Sequence, residues 1–299
     1  MDIIHLLYFF EVARQESFTK ASETLYVSQS TISKLIKNLE NELGAPLFRR
    51  TPKRIILTDE GRLLFPKAQA ILNILNSIET EFSDLTGTPP GRLKVAISPL
   101  VQAINLFPKA IAEFKSMYPQ VTIDLFEVGS RKVESGLSDG TIDVGVIMFP
   151  SESSQELEVV PFFKDPMMLI VHPGHSLAAK SPVSLNDLRD EPLVLYQEDF
   201  ALHHQIIEKF HRFGLEPKVM CETAQWQFMV DIVSSKLAIA FLPRTVCEKL
   251  DPQLVKTLPL AEEFKPWHLA IAWRNNTYLS FSTKVWLAHI FKVFGIAKN

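Results

Sequence analysis

The sequence predicts a mixed α/β protein: a winged helix-turn-helix at the N-terminus, one long linker helix, and a larger C-terminal part of alternating strands and helices. Three patterns carry that prediction. Ser17 and Ser28 can each cap a short helix, the two are joined by a tight turn, and the second has a basic outer face. Apolar residues then recur at steps of four and three from Leu64 to Leu85. Beyond residue 91, runs that alternate every second residue are separated by runs of helical period.

Residues 3 to 15 read as the first helix, with Leu6, Phe9, Phe10 and Ala13 on one face to support the motif. In the second helix Ala21 and Leu25 lie four apart. Tyr26-Val27-Ser28 breaks it, and Ser28 starts the third. Ile32, Leu35, Ile36, Leu39 and Leu43 form the buried face of that third helix, which Gly44 and Pro46 stop. Its opposite face holds Gln29, Ser30, Ser33, Lys34 and Lys37. Leu47-Phe48 is an apolar anchor. Thr51-Pro52 is a turn set among Arg49, Arg50, Lys53 and Arg54, and Ile55-Ile56-Leu57 is a short strand. Together they make a basic wing beside the third helix.

Between Ser28 and Leu57 there are six Lys/Arg against two acids, although the whole chain carries a net charge of -3. Positive charge gathered beside a helix of groove-reading size is the footprint expected for double-stranded DNA. An amide can pair bidentately with adenine, so Gln29 is the expected reader of a base edge. Ser28, Ser33 and Lys34 are expected to hold phosphates, which set register without carrying sequence. Ser30 and Lys37 share that face. Arg50, Lys53 and Arg54 on the wing can reach phosphate or a minor groove. The competing reading of each charged residue is a solvated surface.

The motif residues are Phe9, Ala13, Ser17-Phe18-Thr19, Ala21, Leu25, Ser28-Gln29, Ser33, Ile36, Leu39-Glu40, Leu43-Gly44, Leu47-Phe48, Arg50, Leu57-Thr58 and Gly61. At this spacing the chain resembles the LysR-type bacterial transcription regulators. Two positions depart from the family pattern. Ser22 stands where a second alanine is usual, and Lys34 where an arginine is usual, which exchanges a planar fork for a point charge.

Thr58 looks like an N-cap, and Asp59 and Glu60 place negative charge at the positive end of a helix running to about Leu85. Leu64, Ala68, Ile71, Leu75, Ile78, Phe82 and Leu85 form a heptad seam along it, which implies a partner helix. The alternative is an amphipathic helix lying on its own domain. Pro66 should bend its start. The resemblance implies that this is a dimerising linker. Thr86-Gly87-Thr88-Pro89-Pro90-Gly91 reads as a hinge.

In the C-terminal part, strands are expected near 93–97, 121–125 and 144–148, with helices at 102–117 and from Ser130 to about Gly140. A second set follows: strands at 167–171, 193–196, 218–221 and 238–242, and helices near 185–189, 201–213 and 226–234. A late strand at Trp267 to Trp273 and a closing helix at 282–294 complete the reading, and the alternation argues for a parallel sheet covered on both sides. Phe114, Tyr118-Pro119, Leu137, Gly140, Asp143-Val144-Gly145, Pro173, His175, Leu177 and Leu242-Pro243 extend the resemblance to this half. It implies two α/β subdomains around a cleft, as in periplasmic solute-binding proteins. Where the family often has a glycine-bearing turn, this chain has Ser235-Lys236-Leu237-Ala238. The expected domains are 1–58 for DNA binding, 59–87 for the linker and 88–299 for effector binding. Within the last, subdomain I takes about 91–161 plus 267–299, and subdomain II about 162–266.

Ligands of open α/β sheets sit beyond the carboxyl ends of strands. The first strand of this half ends at Ile97, which nominates Ser98, Leu100, Val101 and Gln102. The resemblance places effectors at Ser98-Pro99-Leu100. Tyr196, Gln197 and Phe200 follow the 193–196 strand, and Met148 and Phe149 end another. Each also has a structural reading: a cap, a loop residue or core. The helix start after Ile97 offers free N–H groups, so a small anion, an organic acid, is the expected effector. A neutral or aromatic ligand against Phe149 and Phe200 is the competing reading.

Neither a metal nor a catalytic function is expected. His172 and His175 flank a turn, His203 and His204 are adjacent, and Cys221 and Cys247 lack ligand-spaced company. The chain has no GxSxG elbow, phosphate loop or HExxH motif, and no cofactor is expected. The apolar run Leu6 to Phe10 is too short for a signal peptide or a membrane span. The expectation is a cytoplasmic regulator, not an enzyme, that binds promoter DNA and a small-molecule effector and assembles as a homodimer or homotetramer. RNA polymerase is a candidate partner. The rivals are a small-molecule-processing enzyme with an accessory DNA-binding head, which turnover would reveal, and an architectural DNA binder indifferent to metabolites.

Overall fold

The computed structural model describes residues 1–50, 55–85, 91–104, 106–150 and 156–296. The chain divides into two compact units, Met1–Thr86 and Gly87–Asn299.

The first unit opens with α1 (Ile3–Gln15), α2 (Phe18–Thr24) and α3 (Gln29–Leu43). The Ser17 hydroxyl accepts from the Lys20 amide at 3.2 Å, and that of Ser28 from Thr31 at 3.1 Å, so each helix start gains a partner for an orphan donor. Gly44 ends α3 at φ 72°, a conformation that costs a side chain but not glycine. Ile32, Ile36 and Leu39 form the buried stripe of α3. The apolar face is narrower than its spacing suggests: Leu35 is half-buried and Leu43 is exposed. Phe9 and Phe18 both meet Phe48, at ring distances of 5.3 and 5.9 Å. That contact anchors β1 (Phe48–Arg50), which pairs antiparallel with β2 (Ile55–Leu57) as the base of the wing.

A single helix, α4 (Asp59–Leu85), follows, and the Thr58 hydroxyl accepts from the Gly61 amide at 3.0 Å. The early part of the heptad pattern is used within the chain. Leu64, Ala68 and Ile71 pack with Leu6, Phe9, Leu39 and Leu47. Farther along, Ile78 and Phe82 are exposed. The own-domain reading therefore holds for the first stretch of this helix. Thr86 to Pro90 of the expected hinge, and the side chain of Leu85, lie outside the described residues.

The second unit begins with β3 (Arg92–Ile97), a 3-10 turn (Pro99–Ile104), α5 (Leu106–Met117), β4 (Thr122–Glu127), α6 (Ser130–Ser138), β5 (Val144–Met148) and β6 (Leu157–Asp165). The chain then crosses to β7 (Met167–Val171), β8 (Pro192–Tyr196), α7 (Ala201–Arg212), β9 (Lys218–Thr223) and α8 (Trp226–Ser234). After β10 (Ala240–Pro243), α9 (Arg244–Cys247) and β11 (Lys256–Leu258) it returns with β12 (Trp267–Arg274) and α10 (Phe281–Val293).

Two subdomains result. The first holds a five-stranded sheet in the order β4-β3-β5-β12-β6. The second holds β10-β7-β11 and the parallel pair β8-β9. The sheet of the first is mixed, not parallel: β3 runs parallel to β4 and β5, but β12 runs antiparallel to both β5 and β6. The sequence reading also missed β6, which carries Pro161. The sheet order places β6 at an edge, where a missing N–H is tolerated. The expected single helix at 102–117 is a 3-10 turn followed by α5, and the expected helix near 185–189 is a 3-10 turn, Leu185–Leu188. Phe114 and Trp286, with rings 5.0 Å apart, fix α5 to α10 behind the sheet.

Candidate DNA-reading face and effector cleft

Capping by Ser28 sets the direction of α3, and burial of Ile32, Ile36 and Leu39 sets its rotation. The consequence is that Gln29, Ser30, Lys34 and Lys37 are exposed on one helix, with Ser33 half-buried among them. The Ser28 hydroxyl is occupied as the cap and lies 2.7 Å from Ser30 Oγ and 2.8 Å from Thr31 Oγ1. That hydroxyl builds the helix start. Arg49 is exposed on β1. Lys53, Arg54 and the side chain of Arg50 lie outside the described residues.

In the second unit, α6 and α7 begin at the carboxyl ends of β4 and β8, one in each subdomain. Their N-termini meet across the cleft. The Ala201 amide donates to Ser130 Oγ at 3.1 Å, so Ser130 serves the other subdomain's helix and not its own. The Gly129 amide donates to Asp199 Oδ2 at 3.2 Å, and Lys132 Nζ lies 3.1 Å from the same oxygen. The Arg131 amide donates to the Asp199 carbonyl at 3.1 Å, and Arg131 Nη1 lies 2.7 Å from His204 Nε2. Amides at the positive end of a helix, with an ammonium beside them, are a favourable seat for a carboxylate.

Behind these contacts lies a cavity of about 10 Å³, bounded by Ser98, Ser130, Met148, Phe200, Leu202 and Trp267. That volume is on the scale of one water molecule. Ser98, Met148 and Phe200 were expected there; Ser130, Leu202 and Trp267 were not. Applying the strand-end rule to β4 as well as to the strand before it would have found Ser130.

The remaining expected residues are distributed differently. Leu100 and Val101 are buried in the core. The Val101 amide donates to the Ser98 carbonyl at 2.8 Å, and the Leu100 amide to Ser98 Oγ at 3.4 Å. The donors expected at this loop are thus spent within the 3-10 turn, which corrects the picture of an open helix start. The side chain of Gln102 lies outside the described residues. Tyr196 is fully buried, its hydroxyl donates to the Phe241 carbonyl at 3.2 Å, and burial pushes its pKa well above the ordinary phenol value. Its side chain belongs to the second subdomain's core. Gln197 is exposed, and half-buried Phe149 meets the His268 ring edge-on at 5.0 Å.

The histidines have local work. His172 Nδ1 accepts from the Gly174 amide at 2.8 Å and His175 Nδ1 from Leu177 at 3.2 Å. His203 Nδ1 sits 2.8 Å from the Tyr196 carbonyl. Among the described residues, no group of three or more His, Cys, Asp or Glu is placed to hold a metal ion. No described helix is long and apolar enough to cross a membrane.

Residues 3–62 match the model of the bacterial regulatory helix-turn-helix proteins of the lysR family, and residues 86–295 that of the LysR substrate binding domain. The chain is 43% identical over 289 residues to YwbI of Bacillus subtilis (strain 168), an uncharacterized HTH-type transcriptional regulator, covering 97% of this chain and 95% of that one. Among solved structures, full-length OxyR from Pseudomonas aeruginosa superposes with a TM-score of 0.66 at 24% identity, covering 100% of this chain and 96% of that one. Full-length CbnR complexed with its target DNA gives a TM-score of 0.62 at 22% identity, covering 98% and 100%.

Proposed function

The chain belongs to the LysR family of bacterial helix-turn-helix transcriptional regulators, and from that premise we propose that its effector is a small organic acid seated between α6 and α7. It is a DNA-binding regulator with an effector-binding domain. The finer reading rests on one observation. The cleft end of α6 already holds a carboxylate, that of Asp199, through the Gly129 amide and the Lys132 ammonium. A group that grips one carboxylate has the chemistry to grip another. The Ser98 and Ser130 hydroxyls would add neutral donors, and Met148, Phe200 and Trp267 an apolar wall for a short carbon skeleton.

In this reading Gln29 reads a base edge, while Ser30, Ser33, Lys34, Lys37 and the wing cations Arg50, Lys53 and Arg54 hold the backbone. Residues 1–58 bind DNA, 59–87 join two copies and 88–299 bind the effector. Pairs of such dimers would place several heads on one promoter, where RNA polymerase is the proposed further partner. The effector acts through its different affinity for the open and closed cleft.

Calorimetric titration of the full-length protein tests the acid assignment. The panel is acetate, succinate and benzoate, each beside its uncharged amide. Saturable binding of an acid, lost in Ser130→Ala and absent for the matching amide, is the expected result. Binding of the amides alone would overturn it.

A further inference from the structure

The two subdomains meet directly across the cleft described above. Three hydrogen bonds, one ion pair and the Arg131–His204 contact cross it between residues 129–132 of the first subdomain and 199–204 of the second. Asp199 is central to them, because its side chain and its backbone carbonyl are both engaged. We infer that this contact is a releasable latch, in which Asp199 stands in for the acid and holds the cleft closed until an effector displaces it.

Three features favour a latch over permanent subdomain packing. First, the bonds are polar and the ion pair reaches solvent: Lys132 is 64% exposed and Asp199 16% exposed, so water can replace these partners on opening. Second, the same contact blocks entry. Arg131, Lys132 and Asp199 line an open depression at the mouth, with Glu198 and Glu222 beside them. A ligand that enters from there must pass the Asp199 carboxylate. Third, the fit depends on a glycine for reasons of space. A Cβ on Gly129 would lie 2.3 Å from the Asp199 carbonyl oxygen and 2.5 Å from its carbon, both backbone atoms that cannot rotate away. The Gly129 φ of -62° suits any residue, so glycine is needed there by the closed contact and not by the local backbone.

The inference gives the regulation of the proposed effector site and rests on that reading. An acid entering the cleft would exchange one carboxylate for another at the α6 N-terminus. Occupancy would then release Asp199 and its loop, and the subdomain that carries α7 would be free to reset against the other. The ligand therefore competes with an intramolecular group, which lowers its apparent affinity by the fraction of time the latch is shut.

Hydrogen exchange on the full-length protein, free of added ligand, tests the latch without knowing the effector. In Asp199→Ala, amides 129–133 and 199–204 should exchange at least fivefold faster than in the wild type, with β3 and β8 unchanged. Gly129→Ala should do the same by wedging the contact apart, which guards against a misleading result from either variant alone. Unchanged exchange at both segments in both variants would overturn the latch. Titration with acetate, succinate and benzoate then separates the two readings. Binding at least tenfold tighter to Asp199→Ala than to the wild type supports displacement. If exchange rises but the acid binds both proteins equally, displacement of Asp199 is overturned while the acid assignment stands. If exchange rises and only the amides bind, the acid assignment falls, and with it the displacement, while the closing role of the contact stands.

Discussion

Gly61 lies so close to Leu47 that a Cβ on it would sit 2.2 Å from the Leu47 carbonyl oxygen. The Thr58 amide donates to that same oxygen at 3.0 Å. The first turn of α4 is therefore seated directly on the strand that leads into the wing. Gly61→Ala should force the two apart and destabilise the N-terminal unit by about 1–3 kcal/mol, the usual range for overpacking. Urea unfolding of the full-length variant, followed by a probe in residues 1–85, measures it.

On DNA, Gln29→Ala should cut the ratio of specific to random binding by an amount worth about 1–3 kcal/mol, the value of a bidentate base contact. Lys34→Ala should weaken both duplexes alike and make the salt slope shallower by about one. Isotherms at two salt concentrations separate the two effects. An unchanged specificity ratio in Gln29→Ala removes it from the reading role.

Lys236 follows the end of α8 at φ 61°, where the Lys236 amide donates to Val233 and that of Leu237 to Ile232. This is the Schellman closure that glycine ordinarily supplies. The side chain is strained there, so Lys236→Gly should raise stability by roughly 1 kcal/mol. A scan of thermal unfolding should show a small upward shift in Tm. A downward shift would mean that the lysine side chain compensates.

The two cysteines should differ in reactivity. Cys247 is buried, and burial pushes its thiol up to about 12, so almost none is thiolate at neutral pH. Cys221 is half-buried on β9. Labelling with a thiol reagent at pH 8 should modify Cys221 in the native protein and Cys247 only after denaturation.

The helices of the DNA-binding head were legible because caps, a glycine stop and a period-four stripe all agree between Ser17 and Gly44. The boundaries of α4 were legible for the same reason. Its partners were not, since Leu64, Ala68 and Ile71 fit either a second helix or the chain's own core, and period alone does not say which. In the second unit, β6 was hidden by Pro161, and the direction of β12 by the absence of any local signal for strand polarity. The cleft was half legible. Ser98, Met148 and Phe200 follow from strand ends, but Asp199 opposite Gly129 joins residues 70 apart in sequence, and no spacing rule reaches that far. Tyr196 shows the reverse error: a strand-end residue whose side chain points into the core.

An organic acid in the cleft should change how this protein holds its DNA. Genome-wide protection mapping with the full-length protein, alone and with acetate, succinate or benzoate, tests it most directly. The expected result is a limited set of sites with two-fold symmetry, at which one acid changes the length or spacing of the protected segment. Protection without sequence preference, or footprints identical under every acid while an uncharged ligand shifts them, would contradict it.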